Sequence, residues 1–383
     1  MSVATRVPLS LYVHIPWCVR KCPYCDFNSH AVRGAIPEAR YVDALLADLD
    51  MEQERAGMRD VHSVFIGGGT PSLFSGREIE RLLDGIRQRT ILASDAEVTL
   101  EANPGTTDAD HFSAYRAAGV NRLSIGVQSF NDRKLAILGR IHSAEEADRA
   151  VNAALGAGFD NINLDLMYGL PFQSVEEALA DLESAVNMGP THISWYQLTI
   201  EPNTAFQQSP PDGMPEVDDA ATMGDAGRVL LAGAGYTQYE VSAYATPGAR
   251  CRHNLNYWEF GDYIGIGAGA HGKLSLPGGR IERRRKQRHP DAYTDAAASG
   301  DPSSGVSVLQ DEDLVLEFMM NTLRLNDGVR IGLFEERTGL KSEAIAPRLR
   351  LLRERGLIEN ADEVICATEL GRRYLNDLLA VFA

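Results

Sequence analysis

The sequence has no run of about 18 apolar residues, so no segment of it is long enough to span a bilayer as a helix. Its first residues, Met1 to Pro8, lack the long apolar stretch of a secretory signal. Lys and Arg number 37 against 53 Asp and Glu, a net charge of −16, which argues against a nucleic-acid partner. With 44% hydrophobic and 23% charged residues, we expect a globular protein that has no integral membrane segment and does not bind nucleic acid.

Cysteine is scarce, and its distribution is uneven. There are only five cysteines, an odd number, and Cys18, Cys22 and Cys25 fall within one short stretch. This pattern argues against a disulfide framework and favours a reducing compartment in which thiolates serve as ligands. We therefore expect a cytoplasmic protein.

Short apolar runs alternate with longer amphipathic ones through the first half of the chain. The alternation predicts six strands, at Ser10–Ile15, His62–Ile66, Glu97–Glu101, Arg122–Val127, Asn161–Met167 and His192–Thr199. Between them it predicts five helices, at Pro37–Arg55, Gly76–Gln88, Asp108–Ala118, Ala144–Ala157 and Ser174–Met188. Such alternation is typical of parallel strands with right-handed crossovers, and six units are fewer than the eight of a closed barrel. We predict an α/β fold built on a partial (β/α)6 barrel.

The second half of the chain is less regular. A further strand is predicted at Tyr236–Ala245, and the arginine-, glycine- and serine-rich segment Gly278–Ser304 is interpreted as a linker. From Glu312 onward the pattern is helical with a short strand near Leu357–Cys366, which predicts a smaller C-terminal helical, winged-helix-like domain. The expected domains are residues 1–240, a segment at 241–290, and 291–383.

The three clustered cysteines have the spacing C-x3-C-x2-C. Three thiolates on a tight loop can hold three corners of a cubane iron–sulfur cluster, which leaves the fourth iron free to bind a substrate. The alternative is a zinc site made of the three cysteines with His14 or His30.

Four motifs make the chain resemble a known family. The C-x3-C-x2-C loop after a first barrel strand is the signature of radical S-adenosylmethionine (SAM) proteins. The wider motifs are similar to the HemW family of haem chaperones, relatives of oxygen-independent coproporphyrinogen III oxidase; they are SLYVHIPWC from Ser10, CPYCDFNSH from Cys22, FIGGGTPS from Phe65 and HNLNYW from His253.

The resemblance implies three bound groups. Cys18, Cys22 and Cys25 would hold a [4Fe-4S] cluster. The positions that match the family's SAM site are Tyr12, Gly68, Gly69, Thr70, Glu101, Gln128, Arg140 and Asp165. In the HNLNYW motif, His253, Tyr257 and Trp258 would contact haem.

The resemblance also implies a function and leaves one alternative. It implies a haem chaperone that passes haem to an acceptor protein, with an electron donor for the cluster and no assigned catalytic residue. The alternative is oxygen-independent coproporphyrinogen III oxidase. That oxidase carries a further cysteine two residues after the third cluster ligand, where this chain has Phe27, and its cluster loop begins later in the sequence. Both differences argue against coproporphyrinogen decarboxylation, while enzymatic activity as such stays open.

One glycine pattern is rejected as a nucleotide site. Gly267, Gly269 and Gly272 match the dinucleotide-binding fingerprint, but the segment after them has no helical pattern, so no helix N-terminus would face a pyrophosphate. By resemblance, we expect this glycine loop to close over the active site.

Overall fold

The computed structural model describes residues 7–107 and 109–383. Its first half alternates strands and helices. The strands are β1 (Leu9–Ile15), β2 (Trp17–Cys18), β3 (His30–Ala31), β4 (Asp60–Gly68), β5 (Ile91–Ala102), β6 (Arg122–Gln128), β7 (Ile162–Tyr168) and β8 (His192–Gln197). The helices are α1 (Glu38–Ala56), α2 (Gly76–Arg89), α3 (Ala109–Ala118), α4 (Asp132–Ile137), α5 (Ala144–Gly156) and α6 (Val175–Asn187), with single 3-10 turns at Pro71–Leu73 and Pro104–Thr106.

Six of these strands form the predicted barrel. β1, β4, β5, β6, β7 and β8 pair side by side in that order, and every pair is parallel. All six predicted strands and the five predicted helices are confirmed, apart from Asp108, which lies outside the described residues. Ser143 and Ser174 begin α5 and α6 with capping boxes, in which a glutamate three residues on bonds back to the serine amide.

The sheet continues beyond the barrel on both sides. After α7 (Ala205–Gln208) and α8 (Val217–Gly233), β9 (Thr237–Glu240) pairs antiparallel with β10 (Ala243–Ala245), and β10 pairs antiparallel with β8, so the one strand predicted at Tyr236–Ala245 is in fact two. After α9 (Arg252–Trp258), β11 (Asp262–Ile266) adds parallel to β1. β12 (His271–Ser275), β13 (Ile281–Lys286) and β14 (Ser303–Val308) then follow antiparallel and complete a sheet of twelve strands.

The prediction of a linker at Gly278–Ser304 was wrong. The segment forms β13, the helix α10 (Pro290–Ser299) and the start of β14. Several of its basic side chains form ion pairs and do not simply extend into solvent. Lys286 is buried against Asp48 and Glu52 of α1, and Arg283 pairs with Glu317. The partners lie 34 to 238 residues away in sequence, so the local composition could not reveal them.

The last part of the chain forms a small helical unit with its own apolar core. It contains α11 (Asp311–Thr322), α12 (Gly332–Thr338), α13 (Ala346–Glu354), α14 (Glu369–Arg373) and α15 (Leu375–Ala380), with a 3-10 turn at Ser342–Ala344. A two-stranded antiparallel sheet of β15 (Val329–Arg330) and β16 (Val364–Ile365) accompanies them. The C-terminal helical, winged-helix-like domain is thereby confirmed, while the exact divisions after residues 240 and 290 stay a prediction.

The apolar residues form two main cores, one around the barrel and one in the C-terminal unit. Strand residues such as Leu11, Val13 and Leu164 are fully buried between the sheet and its helices. The second core includes Phe318 and Phe334, and Phe260 and Ile281 of the preceding segment join it. No helix in the described ranges is long and apolar enough to cross a membrane.

The buried Lys286 gives a stability prediction. Lys286→Met leaves the Asp48 carboxylate without its ion-pair partner, whereas Glu52 keeps Arg284 at 3.6 Å and Arg55 at 3.9 Å. We expect this substitution to lower the free energy of unfolding by about 3–5 kcal/mol, measured by urea unfolding at pH 7. The matched control is Lys341→Met, because the Lys341 side chain is 80% exposed in its pair with Glu335. We expect a change of about 0–1 kcal/mol there. Equal effects of the two substitutions would contradict the buried pairing.

Candidate functional site

A cavity of about 540 Å³ opens at the carboxyl ends of the barrel strands. This is the edge at which such folds place their chemistry. Ten of the predicted site residues line it together: Cys18, Cys22, Cys25, Gly68, Gly69, Thr70, Glu101, Gln128, Arg140 and Asp165. Four others do not line it, namely Tyr12, His253, Tyr257 and Trp258.

The cluster loop, residues 16–30, runs from the end of β1 to the start of β3. Its two ends pair as short parallel strands, with Trp17 opposite His30. A turn closes around the cysteines, where the Cys25 amide donates to the Cys22 carbonyl at 3.1 Å. Arg20 ties the loop to the far side of the cavity, because its guanidinium donates to the Gly139 carbonyl at 2.6 Å.

The three thiols are free and partly exposed, and they meet on one wall of the cavity. Burial raises the pKa of the Cys18 and Cys25 thiols, so binding a metal centre there must release protons. Arg140 supplies a compensating positive charge, with its Nη1 at 3.6 Å from the Cys22 Sγ. Three soft sulfur donors around open space, with a buried cation beside them, fit three corners of an iron–sulfur cluster.

The zinc alternative loses one of its two proposed fourth ligands, while the Nε2 of the other, His30, has no hydrogen-bond partner among the described residues. No group of three or more His, Cys, Asp or Glu side chains among the described residues is arranged around a single metal ion. His14, one of the two proposed fourth ligands, already uses both ring nitrogens. Its Nδ1 lies 2.9 Å from the Tyr12 hydroxyl, and its Nε2 lies 2.9 Å from the Asn28 carbonyl.

A glycine turn after β4 forms the part of the cavity wall that lies beside the cluster loop. The Gly69 and Thr70 amides donate to the Ile15 and Trp17 carbonyls, each at 2.7 Å, which fixes the turn against the start of the cluster loop. A Cβ on Gly69 would lie 2.5 Å from the Trp17 carbonyl oxygen, so only glycine allows this approach.

Two carboxylates face the cavity from neighbouring parts of the barrel. Glu101 ends β5 and accepts a hydrogen bond from the Gly68 amide at 3.0 Å, and Asp165 of β7 accepts from the Ser124 hydroxyl at 2.9 Å. Burial and the nearby charge of Asp165 raise the pKa of Glu101 to about 7, and burial also raises the pKa of Asp165. Two desolvated acids side by side suit a ligand that carries positive charge and hydroxyl groups.

The remaining wall contains residues that the sequence only partly revealed. Gln128 adopts a left-handed backbone conformation with φ 69°, and its side chain accepts a hydrogen bond from the Tyr196 hydroxyl at 2.7 Å. Tyr196, Tyr24 and Ser194 also line the cavity and were not predicted as site residues. Tyr24 lies within the cysteine motif and Tyr196 near the carboxyl end of β8, so both positions carried a signal that could have found them.

The haem motif lies away from the cavity. α9 contacts the early residues of the barrel strands, and the Glu97 carboxylate accepts the Arg252 and His253 amides at 3.0 and 3.2 Å. The His253 ring points into the barrel, with Nδ1 3.3 Å from the Ser63 hydroxyl and its ring centroid 5.0 Å from that of Phe65. Burial lowers the pKa of His253 to about 3, so the imidazole is neutral.

The other two motif residues contact different side chains from those that His253 contacts. The Tyr257 ring packs against that of Tyr263, with centroids 5.4 Å apart, and Arg324 lies over the Trp258 ring at 5.2 Å. Both motif side chains are partly exposed.

The glycine loop at residues 267–272 does not close over the cavity, contrary to expectation. It joins β11 to β12 and lies behind the cluster loop, where a Cβ on Gly269 would meet the Asn28 side chain at 2.4 Å. A strand follows the loop, which confirms that it is no dinucleotide fingerprint.

The raised pKa of Glu101 predicts a pH dependence for binding of a cationic ligand such as SAM. Before a ligand binds, Glu101 is about half protonated near pH 7, and a positive ligand prefers the ionised form. Affinity should therefore fall as the pH drops below about 7, by at most about tenfold per pH unit.

We expect Glu101→Gln to weaken SAM binding and to make the pH profile of SAM affinity shallower, measured by calorimetry on anaerobically reconstituted protein. Glu201→Gln, at the same cavity, should keep the wild-type slope. A wild-type profile for Glu101→Gln would contradict this account.

Comparison with known proteins agrees with this geometry. The family model of the Radical SAM superfamily matches residues 12–185, and that of the HemN C-terminal domain matches residues 309–374. The chain is 52% identical to the heme chaperone HemW of Escherichia coli (strain K12) and 50% identical to that of Haemophilus influenzae, over 98% of each chain in both cases. In structure it is similar to the radical SAM enzyme coproporphyrinogen III oxidase (HemN) from Escherichia coli, with a TM-score of 0.83 and 25% identity over 99% of this chain and 92% of that one.

These similarities extend over nearly the whole chain. They include both the barrel that carries the cysteines and the C-terminal helical unit. The protein therefore belongs to the HemW family and has the radical SAM fold.

Proposed function

We propose that this protein is a haem chaperone, which binds haem and passes it to an acceptor protein, on a barrel that holds a [4Fe-4S] cluster and SAM. The observation that carries the radical SAM part is the meeting of three free thiols, a glycine turn and two buried acids in one cavity. The haem part is supported by relatives at 52% and 50% identity that are named heme chaperones.

In this proposal Cys18, Cys22 and Cys25 hold the cluster, which when bound supplies the electron for reductive cleavage of SAM. The chain's own residues bind and orient the second ligand. The turn at Gly68, Gly69 and Thr70 lies near the thiols. Its amides already donate within the protein, so it would hold the methionyl ammonium of SAM through its carbonyl oxygens.

The other walls complete the SAM site. Glu101 and Asp165 face the ligand with negative charge, and their carboxylate oxygens accept hydrogen bonds from the ammonium or the ribose hydroxyls of SAM. Arg140 is placed to bind the carboxylate of SAM. Gln128 adds a polar side chain to the same cavity.

Haem contact at the HNLNYW motif is supported unequally by its residues. Tyr257 and Trp258 are partly exposed aromatic side chains with a cation beside them, a combination suited to a flat macrocycle with carboxylates. The His253 side chain is also partly exposed, but Phe65 and Tyr12 pack against its ring and its Nδ1 lies 3.3 Å from the Ser63 hydroxyl. We therefore propose Tyr257 and Trp258 as haem contacts, and the Nε2 of His253 as the ring atom that can reach haem.

The second candidate function is oxygen-independent coproporphyrinogen III oxidase. The similarity in fold to the Escherichia coli oxidase favours it. The anaerobic assay with SAM and a reductant decides between the two: we expect no conversion of coproporphyrinogen to protoporphyrinogen, and turnover would make the oxidase the better assignment. An acceptor protein, an electron donor and a cytoplasmic location belong to the same proposal.

A cysteine pair tests the cluster site. Cys22→Ala leaves two thiolates on the loop, and we expect it to lose most of the iron and sulfide of the anaerobically reconstituted protein. The matched control is Cys366→Ala, since Cys366 lies in the C-terminal unit, where its Sγ is 3.3 Å from the Asn326 carbonyl oxygen. That variant should keep the iron and sulfide content of the wild type. Full iron in Cys22→Ala would contradict the assignment of the ligands.

Haem titration tests the chaperone proposal. We expect the reconstituted protein to bind about one haem per chain with a shift of the Soret band. Trp258→Ala should weaken binding several-fold and leave iron content unchanged, because the motif lies away from the cysteines. Tyr374→Ala serves as the control, because Tyr374 is an exposed aromatic residue of the C-terminal unit outside the motif, and it should leave haem binding unchanged. Absence of haem binding by the wild type would overturn the proposed function.

A further inference from the structure

His14 lies at the contact between the two halves of the proposed site. It is buried at the carboxyl end of β1, and it belongs to neither the cysteines nor the cavity lining. We propose that His14 is a positioning residue that ties the cluster loop to the SAM-binding glycine turn, and that Tyr12 acts through it. This inference rests on the proposed cluster and SAM site.

The first tie runs to the cluster loop. The Asn28 carbonyl can only accept, so the His14 Nε2 at 2.9 Å must carry the proton and donate it. Asn28 lies three residues after Cys25, and its side-chain amide donates to the Ala268 and Arg288 carbonyls at 2.9 and 2.8 Å. The end of the loop is therefore held from His14 on one side and from the β11–β12 turn on the other.

The second tie runs to Gly68. A Cβ built on Gly68 would lie only 2.5 Å from the His14 ring, so the ring rests directly against the backbone of the turn. Gly68 has φ 114° and donates its amide to Glu101 on the cavity wall. A shift of the His14 ring would thus be felt both by the loop that carries the cysteines and by the turn that faces SAM.

Tyr12 fixes the state of this imidazole. With the proton on Nε2, the Nδ1 of His14 is an acceptor, and the Tyr12 hydroxyl at 2.9 Å must donate to it. Burial lowers the pKa of His14 to about 4, which agrees with a neutral ring that carries a single proton. This gives Tyr12 a role that does not require contact with SAM, consistent with its absence from the cavity wall.

Two amide substitutions at His14 separate its hydrogen bond to Asn28 from its hydrogen bond with Tyr12. A glutamine amide places its nitrogen near the Nε2 position, so His14→Gln can still donate to Asn28. An asparagine amide reaches only the Nδ1 position, so His14→Asn keeps a partner for Tyr12 and loses Asn28. We expect His14→Gln to retain iron during incubation with a chelator, as the wild type does, and His14→Asn to lose iron several-fold faster with an altered EPR spectrum of the reduced cluster.

A third variant tests the part assigned to Tyr12. Tyr12→Phe removes only the hydroxyl. If Tyr12 acts through His14, this variant loses iron faster than the wild type. If Tyr12 contacts SAM directly, it keeps its iron and loses only SAM affinity, which would overturn that part of the inference.

The outcomes are distinct. Circular dichroism melting identifies variants that are unfolded. The rates of iron loss of His14→Gln and His14→Asn are compared only after each rate has been corrected for the folded fraction of that variant. Equal iron loss in His14→Gln and His14→Asn, whether fast or slow, would overturn the positioning role while the cluster site stands. A wild-type protein that assembles no cluster would overturn the proposed function itself, and this inference with it.

Discussion

The close backbone contact between the cluster loop and the glycine turn is the constraint on which the site depends. Two amide-to-carbonyl bonds of 2.7 Å hold Gly69 and Thr70 against the chain that leads into the cysteines. Neither bond could form if Gly69 carried a side chain, because its Cβ would overlap the Trp17 carbonyl. The cysteine thiols and the backbone of the glycine turn are thereby held at a fixed separation, which the proposed metal centre with one open position would require.

The barrel interior adds an unusual amount of buried polarity to this arrangement. Glu101 and Asp165 lie near the cavity end, while Glu97, Ser63 and His253 lie towards the other end. Most of these groups have hydrogen-bond partners, which is what makes their burial tolerable. The Glu101 and Asp165 carboxylates are costly to ionise, because burial raises the pKa of both, and a cation bound between them would lower that cost. An interior of this kind is organised for a ligand more than for maximal stability.

Much of the fold could be predicted from the sequence, because the barrel strands are continuous apolar runs and the helices carry a clear period. The cysteine spacing and the glycine turn likewise predicted the position of the cavity, since both are local patterns. The predictions that failed depend on contacts between residues distant in sequence. The local sequence around Lys286 predicts a linker, because its ion-pair partners Asp48 and Glu52 are distant in sequence. The parallel pairing of β11 with β1 likewise joins segments about 250 residues apart. The packing of His253 against the barrel is of the same kind, because Glu97 and Ser63 come from strands that are distant in sequence.

The central claim is that three thiolates hold a cluster whose fourth iron is open to SAM. It is tested most directly by EPR of the anaerobically reduced protein with and without SAM. The account predicts the signal of a single reduced [4Fe-4S] cluster that changes when SAM is added, because SAM binds at the open iron. A cluster signal that SAM leaves unchanged, or reconstituted protein with no cluster signal at all, would contradict it.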